Sequence, residues 1–216
     1  MARLYRALFA ALGWFALVLQ YVLPLTSGQP LEVGIGAFTL NYFSYFTTLS
    51  NILVVLALTA PVVAPNSRLG RWSLSEGVRA AVAMYIAVVA VVFHFLLSAL
   101  LHPQGWAAVA NTLQHYIMPA AFVADWLFFT PKGRLRWIDP VKWLVPVLIY
   151  GGWTLLHGKL SGWWPYWFTN VDKNGLAKTL GYFACLLVFF LIVGLAIVVI
   201  DRTFGRRDRQ TIAAQP

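Results

Sequence analysis

Residues 176–200 form an almost unbroken apolar run in which Lys178 is the one charged side chain. A helix rises 1.5 Å per residue, so a run of this length crosses the hydrocarbon of a bilayer. Five further apolar runs precede it, at residues 4–23, 41–63, 78–101, 106–129 and 140–156, the last short and holding Pro146. Backbone polar groups must be satisfied internally in lipid, so such a chain folds as a bundle of helices. The expected fold is therefore all-α, a polytopic membrane protein with a six-transmembrane-helix bundle. Only 11% of residues are charged, against about a quarter in soluble domains. The 216 residues suit one bundle over 1–203, with an exposed, largely unstructured basic tail at 204–216 and no separate soluble domain. The first run follows Arg3 and Arg6, is too long and bulky for a signal-peptide core and has no A-x-A site, so it reads as a span. Cys185 has no cysteine to pair with and reads as a buried, inert thiol.

The loops set the orientation. Arg3, Arg6, Arg68, Arg71, Arg79, Lys132, Arg134, Arg136, Lys142 and the tail residues Arg202, Arg206, Arg207 and Arg209 fall on one side of a six-span arrangement. The other side has Lys159, Lys173 and Lys178. Positive residues stay inside, so both termini are expected in the cytoplasm and the chain in the plasma (inner) membrane, multi-pass. The net charge of +9 then belongs to orientation and lipid headgroups, and membrane lipids rather than nucleic acid are the expected partners. Trp163, Trp164, Tyr166, Trp167 and Phe168 cluster in the loop at 158–178. They read as an outer interfacial anchor, and second as a lid or lipid-entry rim.

The stretch 41–51, Asn-Tyr-Phe-Ser-Tyr-Phe-Thr-Thr-Leu-Ser-Asn, is unusually polar for the start of a span. On a continuous helix at about 100° per residue, Asn41, Ser44, Tyr45, Thr48 and Asn51 share a face. Polar groups in hydrocarbon need partners, so this face looks into the protein. The bland reading is a helix–helix interface joined by hydroxyl and amide groups. The sharp reading is one wall of a binding or reaction site. Depth along the spans brings His94, His115, Tyr150 and Thr48 into one layer. His115 precedes Pro119, which cannot donate to the His115 carbonyl, and such breaks occur where helices line cavities. Asp125 lies deeper and is expected to pair with Arg134, Arg136 or Lys142. His102 and His157 read as surface residues.

A threonine hydroxyl becomes a nucleophile when a base takes its proton, and an imidazole suits that role near neutral pH. Thr48 with His115 as base, and Asn51 donating to an oxyanion, would perform acyl transfer followed by hydrolysis. His94, Ser44, Tyr45 and Tyr150 are the supporting or substrate-binding candidates. The histidines lack paired metal-ligand spacing, and no inverted repeat suggests a transporter. No metal or cofactor is expected. A lipid-binding or regulatory protein without catalysis is the alternative.

Tyr45-Phe-Thr-Thr-Leu-Ser-Asn51 followed by Ile-Leu-Val, with Leu113-Gln-His-Tyr-Ile-Met-Pro119 and Asp125-Trp126, resembles the androgen-induced protein family. That family of membrane threonine hydrolases includes the androgen-dependent TFPI-regulating proteins and a bacterial branch of small multipass proteins, which this chain looks like. The resemblance runs from the second span through the Trp-rich loop. It implies six spans and, from the animal members, hydrolysis of fatty acid esters of hydroxy fatty acids by an intramembrane threonine and histidine. The family threonine lies three residues before the asparagine and falls on Thr48. The family histidine before Met-Pro falls on His115. Thr47 adjoins Thr48, and the phase of an unbroken helix favours Thr48.

Overall fold

The computed structural model describes residues 1–213, with side chains through Gly205. It is helical, with no strand among the described residues. Helix α1 spans Ala2–Thr26, α2 Ile35–Tyr42, α3 Phe46–Val63, α4 Arg68–Leu74 and α5 Glu76–Val92. A widened π turn, Phe93–Leu97, and a tight turn, Ser98–Leu100, prolong α5. Helix α6, Gly105–Thr112, runs through a second π turn, Leu113–Ile117, into α7, Met118–Phe129. Helix α8 covers Asp139–Ser161, α9 Val171–Asn174 and α10 Leu176–Ala213.

Four stretches are long and apolar enough to cross a membrane: Ala2–Thr26, Phe46–Val63, Glu76–Leu100 and Leu176–Gly205. The stretch 105–129 is as long as α1, and α8 has 23 residues. Polar side chains such as Gln114, His115 and Asp125 in the first, and Asp139, Lys142 and Lys159 in the second, make these two less apolar. The outer faces carry exposed Val18, Phe128, Ile149, Val188 and Ile192. Large apolar side chains in water would leave that surface unfavourable, whereas lipid accepts them.

The core lies where α3, α5, α7 and α10 bring Val54, Leu58, Met84, Ile86, Phe122 and Val198 together. Small residues permit the close approach. A Cβ on Gly13 of α1 would stand 2.4 Å from Val55 Cγ1 and 2.7 Å from Met118 Cε.

One end of the bundle gathers the first turns of α1, the end of α3, the start of α5, the end of α7 and Asp201 of α10. Arg3 donates to the Val62 carbonyl (3.1 Å), and Asp201 accepts from the backbone N–H groups of Gly133 and Leu135, 3.0 Å each. Arg6 donates to Asp125 at 2.8 Å, and Arg79 pairs with the same carboxylate. Asp125 therefore does not meet Arg134, Arg136 or Lys142: its position on α7 faces the interior, and two arginines that look like flanking charges in the sequence turn inward to meet it. Arg134 pairs instead with Glu76, and Lys142 with Asp139.

Other expectations also change. The loop between α1 and α3 contains α2, and residues 43–45 break the second apolar run between α2 and α3. The stretch after Asp201 is not an unstructured tail up to Ala213: α10 continues through it, and Asp201 is buried. Residues 214–216 lie outside the described part. Cys185 is exposed, because it sits on the outer face of α10. His157 is buried between the rings of Trp153 and Trp163, at 5.4 Å from each.

Candidate functional site

The break at 43–45 decides what the polar stretch can do. Three residues out of helix shift the phase between Asn41 and Thr48, so the single polar face of an unbroken helix does not form. The freed backbone is held by side chains from α8 and the aromatic loop. The Tyr150 hydroxyl donates to the Ser44 carbonyl (3.0 Å) and accepts from the N–H of Phe46 (3.2 Å). Tyr166 accepts from the N–H of Thr47 (3.3 Å). Trp153 donates to the Ser44 hydroxyl (3.0 Å), which donates to Leu40 (2.7 Å). Tyr45 packs edge-on against Trp163 and Tyr166. The first N–H groups of α3 would otherwise be orphans at a helix start. Here phenol oxygens from a distant segment satisfy them.

This hydroxyl network caps a cavity of about 370 Å³. Thr47, Tyr150 and Tyr166 supply its polar end, and side chains such as Val88, Phe93, Leu155 and Phe190 its apolar walls. Phe168 and Thr169 of the aromatic loop are buried and also line it. Burial raises the Tyr166 phenol above its ordinary pKa, so it remains a neutral hydrogen-bond donor around pH 7. A site of this size, apolar with a few convergent polar groups, is suited to a small ligand with a long apolar part.

Thr48 is buried but lies off the cavity wall. Of the adjacent pair, Thr47 is the threonine that lines the wall. Asn51 is fully buried, and its amide donates to the Thr47 carbonyl (3.0 Å) and the Gln114 carbonyl (3.2 Å). With both N–H groups committed, Asn51 is not available as an oxyanion donor. It fastens the threonine-bearing turn of α3 to the π turn that carries His115. Its Oδ1 has no partner among the described residues. Gln114 extends the same tie by donating to the Ala16 carbonyl of α1 (3.1 Å).

The two π turns lie against each other. The rings of Phe93 and His115 stack with centroids 3.7 Å apart, and His94 Nδ1 lies 3.3 Å from the Tyr116 hydroxyl. The His115 turn stands immediately before Pro119, where an α-helical ladder has already lost one donor. Such turns recur at functional sites. His115 Nδ1–H donates to the Asn111 carbonyl (3.0 Å). That bond assigns the proton to Nδ1 and leaves Nε2 as the acceptor, the tautomer a general base requires. Phe93, however, lines the cavity while His115 does not, so a phenyl ring stands between the imidazole and the space.

No family model matches the chain, and neither a curated protein nor a solved structure matches it. Among the described residues, no three His, Cys, Asp or Glu side chains gather in a way that could hold a metal ion.

Of the residues singled out in the sequence, Tyr150 meets Ser44, Asn51 ties Thr47 to Gln114, and His94 lies beside Tyr116 on the turn that carries His115. The sequence reading gives Tyr166 and Phe93 no place in the site and ranks Thr47 second to Thr48. The one available signal for Tyr166 was a phenol inside a cluster otherwise of indoles and phenylalanine. Nothing in the local sequence shows that its hydroxyl reaches α3.

Proposed function

We propose that this protein is an intramembrane lipid-ester hydrolase, with six spans, both termini in the cytoplasm, and a plasma (inner) membrane location. The observation that carries the reading is the apolar cavity ending in the Thr47, Tyr150 and Tyr166 hydroxyls. An acyl chain fills the apolar part, and the ester carbonyl meets the hydroxyls. The topology draws support from the contacts that collect the start of α1, the end of α7 and Asp201 of α10 at one end, together with Arg134 and the nearby basic loops. The resemblance to the androgen-induced family supports the chemistry, and the fatty acid esters of hydroxy fatty acids are one substrate class it suggests.

In this mechanism the nucleophile is Thr47, one residue before the threonine that the resemblance selects. Its Oγ1 attacks the ester carbonyl, and its proton passes to Nε2 of His115. The Tyr166 phenol donates to the oxyanion, the Tyr150 O–H being held by the Ser44 carbonyl. The alcohol leaves with the proton from His115, and water then hydrolyses the acyl-threonine by the same base. Phe93 must rotate aside for Nε2 to reach the cavity. That requirement favours one second reading, a protein that binds the lipid ester without turning it over.

Fluorophosphonate labelling, with the modified residue located by mass spectrometry, separates these. Label on Thr47 that disappears in His115→Ala supports the hydrolase. Label on Thr48 returns the nucleophile to the family position. Folded protein that binds the ester but takes no label at either threonine and shows no turnover supports binding alone.

A further inference from the structure

The cavity has a side that faces out of the bundle. Leu148 and Gly152, one turn apart on α8, line it, as do Leu180 and Ala184, one turn apart on α10, and all four are exposed. Exposed residues in the wall of a cavity mark its mouth, which here lies between α8 and α10. Two successive glycines leave α8 without side chains at this level. A Cβ built on Gly152 has no neighbour within 4 Å, and one on Gly151 would touch only the Phe183 ring of α10, at 3.8 Å. Glycine weakens a helix interior relative to alanine, so the pair calls for a reason, and the gap between the helices supplies one. Tyr150 stands between Leu148 and Gly152 in the chain, so the mouth is level with the turn of α8 that carries this phenol.

We propose that this mouth is the lateral entrance through which a lipid of the bilayer slides its acyl chain into the cavity. The inference rests on the cavity being a lipid site. The occupant follows from what surrounds the mouth. Residues 143–158 of α8 and 179–200 of α10 include no Asp, Glu, Lys or Arg. The surface that continues the rim is apolar and exposed, with Val145, Ile149 and Leu156 on α8 and Val188 on α10. Helix α10 is long and apolar enough to cross a membrane, and Leu180 and Ala184 lie in the early part of that stretch. The four rim side chains offer a polar solute neither a charge nor a hydrogen bond. An acyl chain passing between them exchanges one apolar surrounding for another. Once inside, it brings its ester towards the end of the cavity lined by Thr47, Tyr150 and Tyr166.

The open space at Gly152 allows the entrance to be narrowed without a clash inside the protein. Cys185 is the sole cysteine, so full-length Gly152→Cys combined with Cys185→Ser carries one thiol, at the rim. Half of this protein, in detergent, is alkylated with N-benzylmaleimide, and native mass spectrometry follows the capture of cis-parinaric acid methyl ester by both halves over time. Alkylation should slow capture roughly tenfold, as a barrier to association does, with the final occupancy of the two halves equal. Ala184→Trp, which narrows the mouth from α10 without a reagent, should also load slowly. The native protein supplies the control of position. Its Cys185 does not line the cavity but a second apolar space of about 350 Å³, shared with Phe95 and Phe189. Alkylating Cys185 should leave the loading rate alone. Equal rates for the two halves of Gly152→Cys would overturn the entrance and leave the cavity reading intact. Slowing as great at Cys185 as at Gly152 would overturn it too, since the effect would not belong to this gap. A lower occupancy reached at the unmodified rate would also overturn it, because Gly152 would then be part of the binding wall alone. Native, folded protein that captures no ester would remove the cavity reading and the entrance together.

Discussion

The two ends of the bundle solve the same problem in opposite ways. At the end that holds Arg6, Arg79 and Asp125, buried polar groups close on one another: Arg79 pairs with Asp125 and donates to Thr130 and to the carbonyls of Ala57 and Ser73, while Arg6 donates to Asp125 and to Phe129. No cavity adjoins that cluster among the spaces described above. At the other end, Tyr150 and Tyr166 hold the backbone of Ser44, Phe46 and Thr47, but with Thr47 they line an apolar void. Intramembrane charge is commonly taken as the mark of a site. Here the most charged cluster is the packed one, and the cavity is lined by neutral hydroxyls. The contrast teaches that an ionisable group in a span is informative only with its surroundings known.

The largest effect is expected at the ion cluster. Asp125→Ala leaves two arginines without their carboxylate, and breaking a buried pair in this way costs about 3–5 kcal/mol. Thermal unfolding in detergent should register a large fall in stability, or the variant should fail to accumulate as folded protein. An unchanged melting curve would show that the arginines reach water or lipid headgroups, and the packed end would no longer differ from the other. At the cavity end, Tyr150→Phe removes the acceptor for the Phe46 N–H and the donor to the Ser44 carbonyl. Loss of about 1–3 kcal/mol is expected for the orphaned groups, together with weaker capture of the lipid ester. Loss of stability with full ester affinity would make Tyr150 a purely structural strut. Trp153→Phe cuts one bond, to the Ser44 hydroxyl, which still donates to Leu40. A decrease of about 0.5–1.5 kcal/mol in unfolding free energy, with ester capture unchanged, is expected.

The same contrast explains what could be read from the sequence. Long apolar runs, flanking arginines and the Pro119 break are local properties, and the helices at Ala2–Thr26, Phe46–Val63 and Leu176–Gly205 follow from them. Depth along a helix is a one-dimensional coordinate that sequence alone supplies, and it is what groups His94, His115, Tyr150 and Thr48. Rotation about the helix axis was not legible. The break at 43–45 resets the phase of α3, and nothing in Phe43-Ser44-Tyr45 announces it, since the partners that stabilise it come from residues 150–166. Arg6 and Arg79 misled for a related reason. A basic residue near the end of a span satisfies the orientation rule whether it points out to headgroups or inward to Asp125. Counting back from Asn51 cannot tell which of two adjacent threonines lines a space formed by α5, α8 and α10.

The smallest effect tests whether the cap is neutral. Burial raises the Tyr166 pKa, so folding favours its protonated form. Its contribution is then fully present below the ordinary phenol value of about 10 and declines as pH rises through the higher folded value. Ester capture should be flat from pH 6 to about 9 as far as this phenol is concerned. In alkaline solution, the native protein should lose stability faster than Tyr166→Phe, so the difference between their urea midpoints narrows above pH 10. Other tyrosines titrate in both proteins and cancel in the difference. A gap that narrowed below pH 9 instead would mean that the phenol ionises near neutral pH. Tyr166 would then be able to take a proton from Thr47 itself, and the base of the proposed reaction would move from His115, behind Phe93, to the cavity wall.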